Sequence, residues 1–304
     1  MLVEQIYAHY KNRGDAEGGF RKHLGASILG EPCERKNWFS FRWVKREDTS
    51  GKTYRLFEHG KLEEQRVIDN LSAIGLDVQA FDVATGKQFN FLAFGGHFGG
   101  SLDGKVTIDG ETHVLEIKTH NEKSFRALAK HGVRESKPSH FAQMQIYLGF
   151  TGLPKALYVA VNKNTDELHI ETVERELAVF SESWERAKRI IFSDYPPPRI
   201  SEKPSYFQCR WCHFHGICHG DELPNVVSCR SCLHVTVRED GVWWCEKHGE
   251  ALDYKKQLQA CNDHLYNPNI VNIRQTGVKE GAVLYDDGLV NRPGGVWHSS
   301  TAPG

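Results

Sequence analysis

No apolar run in the 304 residues approaches the roughly 18 that would suggest a membrane span, which argues against an integral membrane protein. The first residues, MLVEQIYAHYKNRGD, interleave charge and aromatics where an export signal needs an unbroken apolar stretch, so the expected location is the cytoplasm. A charge excess is also missing: 38 Lys and Arg stand against 39 Asp and Glu, and a net charge of −1 advertises no nucleic-acid partner. There is no internal repeat apart from the recurrence of Cys-x-x-Cys. What remains is a globular composition, 39% hydrophobic and 11% aromatic, in a chain long enough for a full core.

Eight cysteines are the unusual component. Thiols stay reduced in the cytoplasm, so these read as metal ligands rather than disulfides. Seven lie between Cys209 and Cys261, and that segment opens after Tyr195-Pro196-Pro197-Pro198, which suits a linker. The expected organisation is a domain over residues 1–200, a Cys-rich region over 201–265, and a Gly-rich polar tail over 266–304 with at most two short strands, much of it mobile or held by a partner.

Before residue 200 the pattern is mixed α/β. Residues 61–75 place Val67, Ile68, Leu71 and Ile74 at helical spacing, and Gly75 ends the run. Phe89 to Phe94, Ser101 to Ile108 and His113 to Lys118 read as strands of a meander, the last two joined by the hairpin signal Asp109-Gly110. Ser139 can cap a helix to about Gly149. Strands follow over Ala156–Val161 and Leu168–Val173, across an Asn164-Thr165-Asp166 turn, and then a long amphipathic helix over Arg175–Ile191.

A constellation of acids gathers on this framework. Strand alternation puts Glu116 and Lys118 on one face and Leu115 and Ile117 on the other. Hairpin pairing can bring Asp103 alongside Glu116, and two such carboxylates repel unless a proton or cation sits between them. Hard oxygen ligands favour Mg2+ or Mn2+, held by both carboxylates and the Ile117 carbonyl, with Lys118 stabilising a developing oxyanion or orienting the nucleophile. Glu64 shares the helical face of Val67, Ile68 and Leu71 and so points inward, whereas Glu63 is rotated away. On a second helix His140, Gln143 and Tyr147 form a polar stripe that suggests a lined cleft. Taken without Glu64 and that stripe, the acids could equally be a turn and an exposed ion pair.

These residues resemble the PD-(D/E)xK nuclease superfamily, and specifically its RecB-like exonuclease branch. Gly60 to Glu64 matches Gly-x-x-x-Glu, Gly100 to Gly104 matches Gly-x-x-Asp-Gly, Glu116 to Lys118 matches Glu-x-Lys, and Gln143 to Tyr147 matches Gln-x-x-x-Tyr, all in order across about residues 24–192. The acid before Glu-x-Lys lies in Gly-Ser-Leu-Asp-Gly rather than a literal Pro-Asp. The resemblance implies an α/β restriction-endonuclease-like αβββαβ core and Mg2+-dependent cleavage of DNA phosphodiesters. It also implies Glu64, Asp103 and Glu116 as ligands, Lys118 as catalytic, and a role in recombination, repair or phage DNA metabolism. An annealing protein or helicase is a possible partner. The rival readings are a sequence- or structure-specific endonuclease and a DNA-binding or assembly module with a vestigial nuclease core.

Cys209-x2-Cys212-x5-Cys218 supplies three soft ligands, one short of the four that a cluster or closed zinc site needs. In the iron-sulfur nucleases of the same branch, the AddB type and the CRISPR-associated exonucleases, one N-terminal Cys and such a triplet hold a [4Fe-4S] cluster. Resemblance to them assigns Cys33 as the fourth ligand, tying the ends of the nuclease core together. Alternatively, Cys33 is a plain buried thiol and His213, His215 or His219 completes a zinc site. Cys229-x2-Cys232-x12-Cys245-x15-Cys261 resembles a small zinc ribbon, with a hairpin turn at Arg238-Glu239-Asp240-Gly241. His248 or His264 could replace Cys261, and a second Fe-S cluster also fits four thiolates.

DNA, as ends or single strands, has two candidate contact regions. Lys118, Lys123, Arg126, Lys130, Arg134 and Lys137, with His120, His131 and His140 near them, leave the Glu-x-Lys strand against only Glu122 and Glu135. Arg35, Lys36, Trp38, Phe39, Phe41, Arg42 and Trp43 mix cations with aromatics as single-strand binders do, or else form core. Gly95 to Gly100 leads into a strand rather than a helix, so it is read as a loop at the cleft mouth rather than a phosphate cradle.

Overall fold

Asp109 and Gly110 both take positive φ, 49° and 79°, the two-residue turn whose twist matches that of the strands it joins. In the computed structural model, which describes residues 1–299, that hairpin lies inside a mixed five-stranded sheet. Its strands are β1 (Asp77–Gln79), β2 (Gly104–Ile108), β3 (Glu111–His120), β4 (Lys155–Asn162) and β5 (Leu168–Glu174), in the order β5-β4-β3-β2-β1. β3 and β4 are parallel, and every other pair is antiparallel. The helices of eight or more residues are α1 (Leu2–Glu17), α2 (Glu34–Phe41), α3 (Gly51–Ala73), α4 (Glu122–Ser136), α5 (Pro138–Thr151) and α6 (Leu177–Phe192). Read along the chain, α3, three strands, α5 and β4 reproduce the expected αβββαβ order.

The period-two rule divides β3 between two layers. Leu115 and Ile117 pack with Val67, Ile68 and Leu71 of α3, while Val114 packs with Met144 and Leu148 of α5 on the opposite face. Glu116 shares that second face. Ser50 caps α3 by accepting from the Thr53 amide at 3.2 Å, so the helix begins ten residues before the expected Lys61 and its first turns pack on α1.

Several expectations change. The strand that pairs with β2 is Asp77–Gln79, not Phe89–Phe94; Asn90–Ala93 instead pairs with Phe98–Ser101, which also runs parallel to Leu24–Gly25 in a separate sheet. The expected Ser101–Ile108 strand therefore breaks at Leu102-Asp103, where the chain passes from one sheet to the other. Ser139 is not a cap: Lys137 holds that position and Pro138 sits in the first turn, where its missing N–H costs nothing. Residues 122–136, read only as a basic stretch, form α4, capped by Asn121 through the Ser124 amide at 2.9 Å.

The Gly95–Gly100 segment is not a loop at the cleft mouth. Gly95 (φ 62°) abuts Gly241 (φ 94°) of the Cys-rich region so closely that a Cβ on Gly95 would lie 2.2 Å from the Gly241 nitrogen. His97 beside it is buried and meets the Arg238 carbonyl at 3.0 Å. The hydrophobic core consequently runs without a break from the sheet into Val235, Val237, Trp243 and Leu252 of a three-stranded ribbon. Trp38, Phe39, Phe41 and Trp43 are all 2% exposed or less and Arg42 is buried against Trp38 and Trp243, so these five side chains are core and not a DNA surface. The tail makes four strands, Gln275–Lys279, Ala282–Tyr285, Leu289–Arg292 and Val296–Ser299, over a small core of Leu265, Val271, Val283 and Tyr285. Residues 300–304 of the expected tail lie outside the described residues. Among the described residues no helix is long and apolar enough to cross a membrane.

Candidate active site

The break between the two sheets places Asp103 at the entrance to β2, where its Oδ2 accepts the Ile117 N–H at 2.8 Å. A backbone amide that would otherwise pair in the ladder thus fixes the carboxylate beside β3. Lys118 Nζ lies 3.7 Å from the same oxygen, donates to the Ile117 carbonyl at 3.2 Å, and forms an ion pair with Glu116 Oε1. Glu116 is fully buried, and neither of its oxygens has an aligned hydrogen bond. Burial pushes its carboxyl up to about 8; the Lys118 charge pulls the other way, while Asp103 and Glu64 add to the rise. Burial works against the Lys118 ammonium too, yet the charges of Glu116, Asp103 and Glu64 outweigh it and hold its pKa above the usual lysine value. Glu64 reaches the cluster from α3 and is also raised, by burial and then by Asp103.

Glu64, Asp103, Ile117 and Lys118 line one open cleft of about 540 Å3, with Glu116 buried beneath its wall. Three carboxylates with one lysine to offset them, the buried Glu116 meeting no donor besides the Lys118 ammonium, are a donor set that fits a hard divalent cation. Glu64, Asp103, Glu116 and the Ile117 carbonyl are the groups that would hold it.

Gln143 and Tyr147 do not line the cleft. Both are buried, at 5% and 2% exposure; Gln143 donates to the Tyr147 hydroxyl at 2.9 Å, and that hydroxyl donates to the Ser101 carbonyl at 2.7 Å. They clamp the segment that carries Asp103. Gly100 fits the same packing, because a Cβ there would come within 2.9 Å of the Tyr147 ring. Tyr147→Phe should therefore leave a buried carbonyl and amide unpaired, lower stability by about 1–3 kcal/mol, and slow any reaction at Asp103 several-fold; chemical denaturation alongside a rate measurement checks both.

The strand alternation that pairs Glu116 with Lys118 also adds His120, and the structure completes a chain that sequence spacing did not reveal. His120 Nε2 and His140 Nδ1 meet the Tyr158 hydroxyl at 2.9 and 2.8 Å, and His120 Nδ1 meets Ser124 Oγ at 3.1 Å. Tyr158 is register partner of Glu116 across the parallel β3–β4 pair, which only the fold establishes. Burial, followed by nearby lysines, pulls His120 down to about 4; burial, then Lys118, pulls His140 down to about 3, so both are neutral near pH 7. Positive charge at the cleft comes instead from Lys61, Lys118, Lys137 and Lys163. Of the expected basic stretch, Arg126 is tied to Glu122 and Glu167 and Arg134 to Glu176, away from the cleft lining.

No family profile and no curated protein matches the chain. Among solved structures it is similar to SSO0001, with a TM-score of 0.43 and 14% identity over 72% of this chain and 96% of that one. It is also similar to LHK-Exo, the alkaline exonuclease of Laribacter hongkongensis. The complex of that protein with dAMP gives a TM-score of 0.39 at 17% identity, and a second structure gives 0.37 at 19%; each covers 62% of this chain and 90% of that one.

The cysteines converge as two sets. Cys33, Cys209, Cys212 and Cys218 line one small cavity of about 50 Å3 with His215 and His219, whereas His213 faces elsewhere. Burial raises the Cys209 thiol, and Cys33, Cys218 and Cys212 are near enough to raise it further. Cys229, Cys232, Cys245 and Cys261 line a second cavity with His248, Asp263 and His264, and burial followed by the other three thiols pushes Cys229 up to about 12. At that site His248 Nε2 is 3.6 Å from Cys261 Sγ and 3.3 Å from Asp263 Oδ2. His264 is buried, with its Nε2 3.3 Å from Ser231 Oγ. Four thiols gathered at one cavity, with Cys209 and Cys212 in the first set and Cys229 and Cys232 in the second resisting ionisation through burial, fit a cation that would take the thiolate form.

Proposed function

We propose that the chain is a Mg2+- or Mn2+-dependent deoxyribonuclease of the PD-(D/E)xK type, acting as an exonuclease on DNA. The observation that carries this reading is the buried Glu116, without aligned donors, gathered with Glu64, Asp103 and the Lys118 ammonium at one cleft. When bound, the cation would act as a Lewis acid at the scissile phosphoryl group and make a coordinated water acidic. Asp103, fixed by the Ile117 amide, and Glu64 from α3 orient that site, and Gln143 and Tyr147 hold the Asp103 segment in place. Lys118 presents a proton-rich charge to the cleft and stabilises the oxyanion that develops on phosphorus. We further assign Cys33, Cys209, Cys212 and Cys218 to a [4Fe-4S] cluster and Cys229, Cys232, Cys245 and Cys261 to zinc or a second cluster, both structural in role. Incubation of linear and closed circular DNA with Mg2+ tests the reading: linear DNA should be digested progressively, whereas discrete fragments from closed circles favour an endonuclease.

The buried acid also makes a stability prediction. The folded state holds the Glu116 proton more tightly than the unfolded chain, so without divalent cations its contribution is fully present below about 4.5 and is lost as pH rises through about 8. Glu64 is raised as well and acts in the same sense. Glu116→Gln removes the slope. In EDTA its melting temperature should exceed that of the wild type by a few degrees at pH 8 and by little at pH 5; a gap independent of pH contradicts the assignment.

A further inference from the structure

A second groove, of about 660 Å3, adjoins the cleft: Leu56 and Lys163 line both. It runs between α1 and α3 and presents Tyr7 and Tyr10 from the first helix and Lys52 and Arg55 from the second. Apart from Lys118, the cations along the combined path, Lys52, Arg55, Lys61, Lys137 and Lys163, make no ion pair among the described residues. The carboxylate lining the second groove, Glu58, is already taken by Arg13 at 2.8 Å and by the Tyr10 hydroxyl. Apolar surface interrupts this cationic path: Phe57 is 56% exposed and Leu56 46% exposed at the junction, on the face of α3 that three turns later is buried against the sheet by Val67 and Ile68.

Unpaired cations spaced along a groove, with the exposed Phe57 ring and the half-buried Tyr7 among them, match a polyanion that carries flat apolar groups. We infer that this groove is the path of a single-stranded DNA segment leading to the cleft, with Lys52, Arg55 and Lys163 on phosphates and Phe57 and Tyr7 offered to unstacked bases, the Tyr10 ring being covered by the Arg13 guanidinium. The inference rests on the nuclease reading for its direction, since it is the cleft that makes the groove an approach. A duplex would keep its bases stacked inside and leave the apolar faces unused.

Binding in EDTA tests the path separately from cleavage. Fluorescence polarisation of a labelled oligothymidylate of about 20 nucleotides should show at least a tenfold weaker affinity for Lys52→Glu/Arg55→Glu than for the wild type. Because that variant removes two cations from the phosphate path, its salt slope should be shallower by about 1.4. Phe57→Ala should weaken the strand by about tenfold with the salt slope unchanged. Lys279→Glu, on an exposed strand of the tail sheet, serves as the control and should bind as the wild type does. Unaltered melting temperatures show that the exposed substitutions leave the fold intact, and Lys52→Gln/Arg55→Gln repeats the test without introducing acids. Affinity within twofold of the wild type for both double variants overturns the path, and so does equal loss on a blunt duplex that binds as tightly as the strand. If the wild type cleaves no DNA with Mg2+ while the double variant loses the strand, the nuclease reading fails and the groove stands.

Discussion

Lys118→Ala should lower the rate of DNA cleavage by about 10³-fold while leaving DNA affinity close to that of the wild type. The size follows from the role assigned to the ammonium. A single preorganised donor aimed at developing negative charge is worth about 10²–10³ in rate, and Lys118 also offsets the repulsion among Glu116, Asp103 and Glu64. Affinity is retained because Lys61, Lys137 and Lys163 line the same cleft. Single-turnover cleavage beside an equilibrium binding measurement separates the two quantities. Loss of both together would instead mean that the side chain only supports the fold, an unchanged rate would remove Lys118 from catalysis, and no cleavage by the wild type would favour an assembly module with a vestigial core.

Cys33→Ser is the second large effect, and it concerns stability. Cys33 precedes α2, and its partners in the small cavity lie beyond the whole α/β domain, so a shared cluster would close a very long loop in the unfolded chain. In the chain-entropy account of cross-links, closing a loop of about 100 residues is worth roughly 4–5 kcal/mol. For a protein of this size that corresponds to a fall of about 10 °C in melting temperature. The ends are also held by Arg35 donating to the Pro197 carbonyl at 2.6 Å and by Trp38 and Arg42 donating to the Ser193 carbonyl at 2.8 and 3.0 Å. The variant should therefore remain folded at room temperature while losing iron. Calorimetry with iron analysis of anaerobically purified protein checks this; an unchanged melting temperature and metal content would leave Cys33 as an ordinary thiol.

Much of the site is legible in the sequence because strand and helix periods are short-range. Alternation along β3 separates Glu116 and Lys118 from Leu115 and Ile117, and helical spacing puts Glu64 inward, each without knowledge of the fold. Long-range pairing is not legible. Nothing in Asn90–Ala93 distinguishes a strand beside β2 from one in another sheet, and that choice decides where Asp103 sits. The stripe of His140, Gln143 and Tyr147 shows the same limit: one face of α5 holds all three, but the clamp on Ser101 buries two and leaves His140 at the cleft. Trp38 to Trp43 mislead for a different reason, since cations beside aromatics look alike whether they stack on bases or, as with Arg42 and Arg230, on buried indoles. The four-stranded tail is hidden because Glu280-Gly281, both at positive φ, forms a hairpin turn without the Asn or Asp that marks one.

The most direct test of the central claim follows end-labelled linear DNA with Mg2+ and with EDTA, using wild type and Asp103→Asn side by side. Asp103→Asn keeps an acceptor for the Ile117 amide but removes the charge that faces Lys118 and that would face a bound cation. The account predicts mononucleotide or short products from the wild type in Mg2+ alone, and none from Asp103→Asn in either condition. Equal digestion by the two proteins, or digestion in EDTA, would contradict it.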